Sequence, residues 1–210
     1  MKYNPEIHHR RSIRLKNYDY STNGLYFVTM CCEHRQHLFG EIVLDEMKLN
    51  IAGEMIFKTW LELPKLFDCI NLHEFVIMPN HFHGIIEIKG QAQPQRIAPT
   101  KPEIVGVPLV GIQNVDIQNN NNLGSVLGAF KSITTNKYIK MVKENILPVF
   151  EKRIWQRNYH EHIVRNDKDL TRIQEYIVNN PLSWSIDTLN SQENKGNHEE
   201  LPQRKPSTKP

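Results

Sequence analysis

Val76-Ile77-Met78-Pro79-Asn80-His81-Phe82-His83-Gly84-Ile85-Ile86-Glu87-Ile88 holds the residues of this chain best suited to chemistry. Two histidines flank one aromatic residue within an apolar, β-rich run. Side chains alternate along a strand, so His81 and His83 share one face while Phe82 enters the opposite layer. Two imidazoles about 7 Å apart along one strand face can share a divalent metal, provided a further ligand arrives from elsewhere. A His-x-His pair alone more often marks two solvated or core-satisfied histidines. The rest of the chain must therefore supply a third ligand and a nucleophile.

Two late segments compete for that part. In Tyr176-Ile177-Val178-Asn179-Asn180-Pro181, Tyr176 and Asn180 are four positions apart and lie one above the other on a helical face. An amide oxygen there can complete the coordination begun by His81 and His83, with the phenol in reach. Tyr159-His160-Glu161-His162 offers its own tyrosine and a second His-x-His. However, Ile163 stands four places after Tyr159, and extended backbone sets Tyr159 and Glu161 opposite His160 and His162. Residue types alone leave both tyrosines open. His34, His37 and His73 read as structural.

The elements that must position these groups follow from hydrophobic period. Leu25 to Cys32 reads as a buried strand, and Glu46 to Leu63 as a helix closed by Pro64. Ile70 to Met78 and His81 to Ile88 read as strands joined at Pro79-Asn80 and paired antiparallel. Leu123, Val126, Leu127, Phe130, Thr134, Lys137 and Met141 fall at helical spacing. Ile154 to Arg165 reads as extended. Asn166 then offers an N-cap for a helix from Asp167 to about Asn179, with Leu170, Ile173 and Ile177 as its buried stripe. The order strand, helix, strand, strand, helix, strand, helix predicts an α+β fold. Its expected form is a ferredoxin-like antiparallel sheet with helices packed mainly on one face.

Composition sets the limits. The 210 residues suit one domain, expected over 1–190, plus unpacked segments, because apolar content is only 39%. Residues 89–122, rich in Gln, Pro and Asn, read as a flexible insertion, and 191–210 as a disordered polar tail. No run of 18 apolar residues and no signal pattern opens the chain, so a soluble, cytoplasmic protein without a membrane partner is expected. Cys31, Cys32 and Cys69 form no Cys-x-x-Cys pair and read as buried reduced thiols. The net charge of +3 is mild. Its distribution is not: Arg10, Arg11, Arg14 and Lys16 crowd the start, as a phosphate-contacting arm or a solvated extension would. Lys131, Lys140 and Lys143 form either a wet helix face or one that tracks phosphates.

Taken together, three motifs carry a resemblance. Met78-Pro79-Asn80-His81-Phe82-His83-Gly84 comes first. Trp155-Gln156-Arg157-Asn158-Tyr159 follows, with Glu161-His162 and Arg165, and Tyr176-Ile177-Val178-Asn179-Asn180-Pro181 comes last. In this order they resemble a single-tyrosine transposase of the HUH endonuclease superfamily, in the branch of REP-associated tyrosine transposases. Arg11-Ser12-Ile13-Arg14-Leu15-Lys16, leading to Tyr18-Asp19-Tyr20, and Gly24-Leu25-Tyr26-Phe27-Val28-Thr29 are similar to this branch as well. The resemblance spans roughly residues 10–182. It implies the HUH endonuclease fold, His81, His83 and Asn180 as ligands of Mg2+ or Mn2+, and Tyr176 as nucleophile. It further implies nicking and rejoining of single-stranded DNA through a 5′-phosphotyrosine, with hairpin or palindromic ends bound as recognition elements. Arg10, Arg11, Arg14, Lys16, Lys131, Arg157 and Arg165 are the DNA-contact candidates. The resemblance is compatible with a monomer or with a homodimer that exchanges tyrosine helices, and with a nucleoid location. A non-catalytic hairpin-binding relative, an HUH nickase of replication or plasmid transfer, and a hydrolase using activated water are the alternatives.

Overall fold

Tyr26, Val28 and Met30 are buried on one side of strand β1 (Gly24–Cys31), and Phe27, Thr29 and Cys31 on the other. A strand without a solvent face must lie inside a sheet covered by two layers. The computed structural model, which describes residues 18–89 and 122–190, has that arrangement. The remaining strands are β2 (Gly40–Val43), β3 (Glu46–Leu49), β4 (Ile70–Ile77), β5 (His81–Ile88) and β6 (His160–Val164). The helices are α1 (Ile51–Leu66), α2 (Leu123–Lys143) and α3 (Asp167–Val178). Four strands form one antiparallel sheet in the order β4-β5-β1-β6, and β2 and β3 make a separate hairpin. Setting that hairpin and α3 aside, β1-α1-β4-β5-α2-β6 in this spatial order is the expected ferredoxin-like fold.

One face of the sheet carries the main core. Tyr26, Val28, Met30, Phe82 and Ile86 meet Ile56, Trp60 and Leu63 of α1 and Val126, Leu127 and Phe130 of α2. Phe82 packs against Trp60 with ring centroids 4.4 Å apart. Gly84 makes this approach possible, since a Cβ there would stand 2.9 Å from the Trp60 ring and 2.8 Å from Phe82. The other face holds a smaller cluster in which Ile173 and Ile177 of α3 cover Phe27 and Ile85. Helices thus lie mainly, not wholly, on one side.

Two boundaries differ from expectation. Glu46–Leu49 is strand, not the start of a helix, because Leu44 and Asp45 adopt left-handed backbone (φ 52° and 61°) and close a tight hairpin. Asn50 then caps α1, its side-chain oxygen accepting from the Gly53 N–H at 3.0 Å. Pro64 does not close that helix but lies in its last turn, where only one backbone bond is lost, and the Phe67 N–H still reaches the Leu63 carbonyl at 3.0 Å. Further on, only His160–Val164 of the span 154–165 is strand. Ile154 and Trp155 are held by an isolated bridge from Trp155 to Cys32 and by Glu33 N–H donating to the Ile154 carbonyl at 2.8 Å.

Asn122, the last residue of the expected insertion, caps α2 by accepting from the Ser125 N–H. Residues 90–121, 191–210 and the basic start with Arg10, Arg11, Arg14 and Lys16 lie outside the described residues. The three cysteines are buried and free. Among the described residues no helix is long and apolar enough to cross a membrane.

Candidate functional site

Strand alternation brings His81 and His83 onto the α3 face, in register opposite Cys31 and Thr29 of β1. Both are almost fully buried, and their ring centroids are 4.6 Å apart at 69°. The rings lean together, closer than the strand repeat alone would set them. Each ring is oriented through its Nδ1. Thr29 Oγ1 is 2.8 Å from His83 Nδ1, and Asn80 Oδ1 is 2.8 Å from His81 Nδ1. The Asn80 amide nitrogen donates to the Leu189 carbonyl at 2.8 Å and the Arg35 carbonyl at 3.3 Å. Its oxygen must therefore accept from His81 Nδ1–H, which leaves a bare lone pair on His81 Nε2.

Helix α3 supplies the facing groups. Asn166 caps it by accepting from the Asp169 N–H, and Ile173 and Ile177 fix its roll against the sheet. Tyr176 and Asn180 extend from that buried stripe. The Tyr176 hydroxyl is 3.3 Å from His83 Nε2, and its ring packs edge-on against Phe27 and His83. Asn180 is buried. All four groups come from one chain.

Three buried atoms here have no hydrogen-bond partner: His81 Nε2, Asn180 Oδ1 and Asp187 Oδ2. Buried lone pairs without donors are costly, and few such groups persist without cause. Nitrogen and oxygen acceptors of this kind are what a divalent cation takes as ligands. The residues present therefore fit a divalent metal. Among the described residues, no three His, Cys, Asp or Glu side chains are grouped so as to hold an ion, and the Asn180 amide is what makes the set of donors here.

The electrostatics agree with ligand chemistry. Burial, then the neighbouring His83 and Arg35, keep His81 neutral far below the usual histidine range. Burial, then Arg35, lower His83 to about 3. Neutral imidazoles keep a lone pair for a metal. Burial and then the Asp187 charge push Tyr176 up to about 12, so the phenol is protonated at neutral pH. Arg35 has an unusual backbone. It and His34 both sit at φ 53°, a left-handed region that costs side-chain-bearing residues roughly 1–2 kcal/mol each. The bend directs the guanidinium to Cys31 Sγ, where Nη1 donates at 3.0 Å beside the histidine pair.

Tyr159 is placed elsewhere: its ring belongs to the main core, on the face turned away from His81 and His83. His162 pairs with Asp169 at 2.8 Å and ties β6 to α3. Lys131 donates to the carbonyls of Gln156 and Asn158 at 3.0 and 2.9 Å, stapling that loop to α2. Lys131 and Arg157 line a shallow groove with Arg153 and Trp155, and Arg165 is exposed at the end of β6. His73 bridges to Glu87 across β4 and β5, and His37 lies against Trp184 with centroids 5.5 Å apart. Asp187 and Arg35 were not anticipated from the sequence. Neither belongs to a periodic pattern.

An uncharacterized protein of Haemophilus influenzae is 41% identical over 188 residues, covering 90% of this chain and 97% of its own length. A second protein of that organism, provisionally named a REP-associated tyrosine transposase, is 24% identical over 173 residues, 80% of this chain and 77% of its own. The chain belongs to one family with the first of these proteins, and it is similar to the second, named for a REP-associated tyrosine transposase. A solved structure described as a REP-associated tyrosine transposase bound to a REP hairpin aligns with 81% of this chain and 74% of that one, at 17% identity and a TM-score of 0.49. No family model matches this chain.

Proposed function

We propose that this protein binds single-stranded DNA carrying hairpin ends and nicks and rejoins it through Tyr176, with Mg2+ or Mn2+ held by His81, His83 and Asn180. The observation that carries this reading is the Tyr176 hydroxyl, 3.3 Å from His83 Nε2, beside buried lone pairs on His81 and Asn180 that lack donors. A divalent ion bound there supplies Lewis-acid polarisation of a phosphate and offsets its developing charge.

The chain's own groups define the rest of the reaction. Tyr176 Oη attacks the scissile phosphorus and gives up its proton. The bond from phosphorus to the 3′ oxygen breaks, and that oxygen takes up a proton to leave a free 3′-hydroxyl. The 5′-phosphate remains esterified to Tyr176, conserving the bond energy so that rejoining is the reverse attack and requires no nucleotide cofactor. A phenol held near 12 is a poor nucleophile by itself, so turnover depends on positive charge arriving with the substrate site. Arg35, bonded to Cys31 Sγ beside the histidine pair, offers one such charge from the protein. Asn80 keeps His81 in the tautomer with Nε2 bare, and Thr29 holds the His83 ring with its Nε2 toward Tyr176. Lys131, Arg157 and Arg165, with the basic start at Arg10, Arg11, Arg14 and Lys16, are the proposed contacts along the DNA backbone.

The test is incubation with end-labelled single-stranded hairpin DNA and Mn2+, followed by a denaturing gel. A slow-migrating covalent adduct that Tyr176→Phe abolishes and Tyr159→Phe retains is the expected result. Binding without cleavage would instead identify a hairpin-binding protein, and cleavage without an adduct a hydrolase.

A further inference from the structure

Asp187 lies nine residues beyond the end of α3, yet its carboxylate enters the same pocket. Its side chain is only 8% exposed, and Oδ2 stands 3.8 Å from His81 Nε2. The other oxygen, Oδ1, accepts from the Leu189 N–H at 2.7 Å, so the turn employs one oxygen and leaves the other unpartnered. The turn itself is anchored. Trp184, at the start of the short 3-10 helix Trp184–Ile186, lies over the His81 ring with centroids 6.0 Å apart. Leu189 is tied through its carbonyl to Asn80, the residue that orients His81. A carboxylate oxygen removed from water without a donor is expensive; the Arg35 charge offsets part of that cost, and a positive partner at Oδ2 would meet the rest.

We propose that Asp187 is a further ligand of the metal, its carboxylate drawn in by the ion from a position in which the two histidines and the aspartate do not yet form a closed three-residue group, and that it brings a fourth protein donor from the segment that follows the tyrosine helix. This rests on the metal reading above and extends it. Two ligands about 2.1 Å from one six-coordinate ion are roughly 3 Å apart when adjacent and about 4.2 Å when opposed, and 3.8 Å falls within that span. The added carboxylate changes the preference of the site. Two imidazoles alone suit zinc, whereas two imidazoles with an amide oxygen and a carboxylate form a harder set that suits Mn2+. One negative charge also offsets part of the ion's charge, leaving the rest for the phosphate.

The experiment titrates Mn2+ into the full-length protein by calorimetry and follows thermal unfolding with and without Mn2+. Wild type, Asp187→Asn and His81→Ala are compared. Asp187→Asn is expected to weaken Mn2+ binding roughly 10- to 100-fold and to shrink the Mn2+-induced rise in Tm. The metal-free Tm should stay level or increase, because a stranded buried charge has been removed. A purely structural aspartate predicts the reverse: lower metal-free Tm with an undiminished Mn2+ response, which overturns the proposal. Wild-type affinity in Asp187→Asn together with loss in His81→Ala overturns this inference and leaves the two-histidine site intact. No Mn2+ binding by wild type sinks the metal site and Asp187 together.

Discussion

The two faces of one strand show how this fold divides its labour. On the α1 and α2 side, β5 presents Phe82, Gly84 and Ile86 to a thick aromatic core in which Trp60, Phe75, Phe82 and Phe130 touch one another. On the α3 side the alternate residues His81 and His83 meet Tyr176, Asn180 and Asp187, and several polar atoms lack partners. The apolar cover there is thin, resting on Phe27, Ile85, Ile173 and Ile177. Stability is concentrated on one face, and the unsatisfied groups useful for chemistry on the other. Because residues of β5 alternate between the two, the first face holds the second in place.

Four experiments test that contrast. The largest effect is expected from Tyr176→Phe, which should reduce covalent adduct formation at least ~10³-fold while costing about 1 kcal/mol or less in denaturant unfolding. Phe82→Ala on the opposite face should do the converse, costing about 3–5 kcal/mol in a urea titration while leaving intact any adduct formed by the folded fraction. If Phe82→Ala abolished chemistry without loss of stability, the division of the faces would be mistaken.

Acid supplies the third. His83 titrates near 6.5 in an unfolded chain and near 3 when folded, first because of burial. The folded state refuses the proton, so metal-free stability should be intact above about 6.5 and decline as pH falls from there toward 3. Urea midpoints measured between pH 7 and 4 should show that decline, and His83→Gln should lessen it while His81, also held neutral by burial, keeps its own share. Gly84→Ala is the smallest: a methyl forced against Trp60 and Phe82 should cost about 1–3 kcal/mol by overpacking. An unchanged midpoint would mean that the two rings move aside freely.

Long periodic segments made the fold legible in the sequence. β1, β5, α2 and α3 follow from period two or from helical stripes, and the Asn166 cap marked the start of α3. The β2-β3 hairpin did not show itself, since its four-residue strands are too short to separate from a helical stripe and its turn uses Leu44 and Asp45 without a glycine. At the site, strand spacing pairs His81 with His83 and helical spacing pairs Tyr176 with Asn180, and the Ile173 and Ile177 stripe turns the second pair toward the first. Arg35 depends on two left-handed residues of ordinary type, and Asp187 on a short turn whose docking comes from tertiary contacts. Neither carries a mark in the linear chain. Asn80 was read only as a turn former, yet its amide nitrogen donates to two carbonyls and its oxygen to His81 is an acceptor.

That single carboxamide is a three-way latch joining residues 35, 81 and 189, which stand far apart in the chain. Cutting the polypeptide after residue 183 would leave the latch with one strap gone, and the imidazole it steadies would lose its fixed pose. The far end of the described chain is thus coupled to the histidine motif, and a truncation chosen to trim a tail would disturb an imidazole more than one hundred residues upstream.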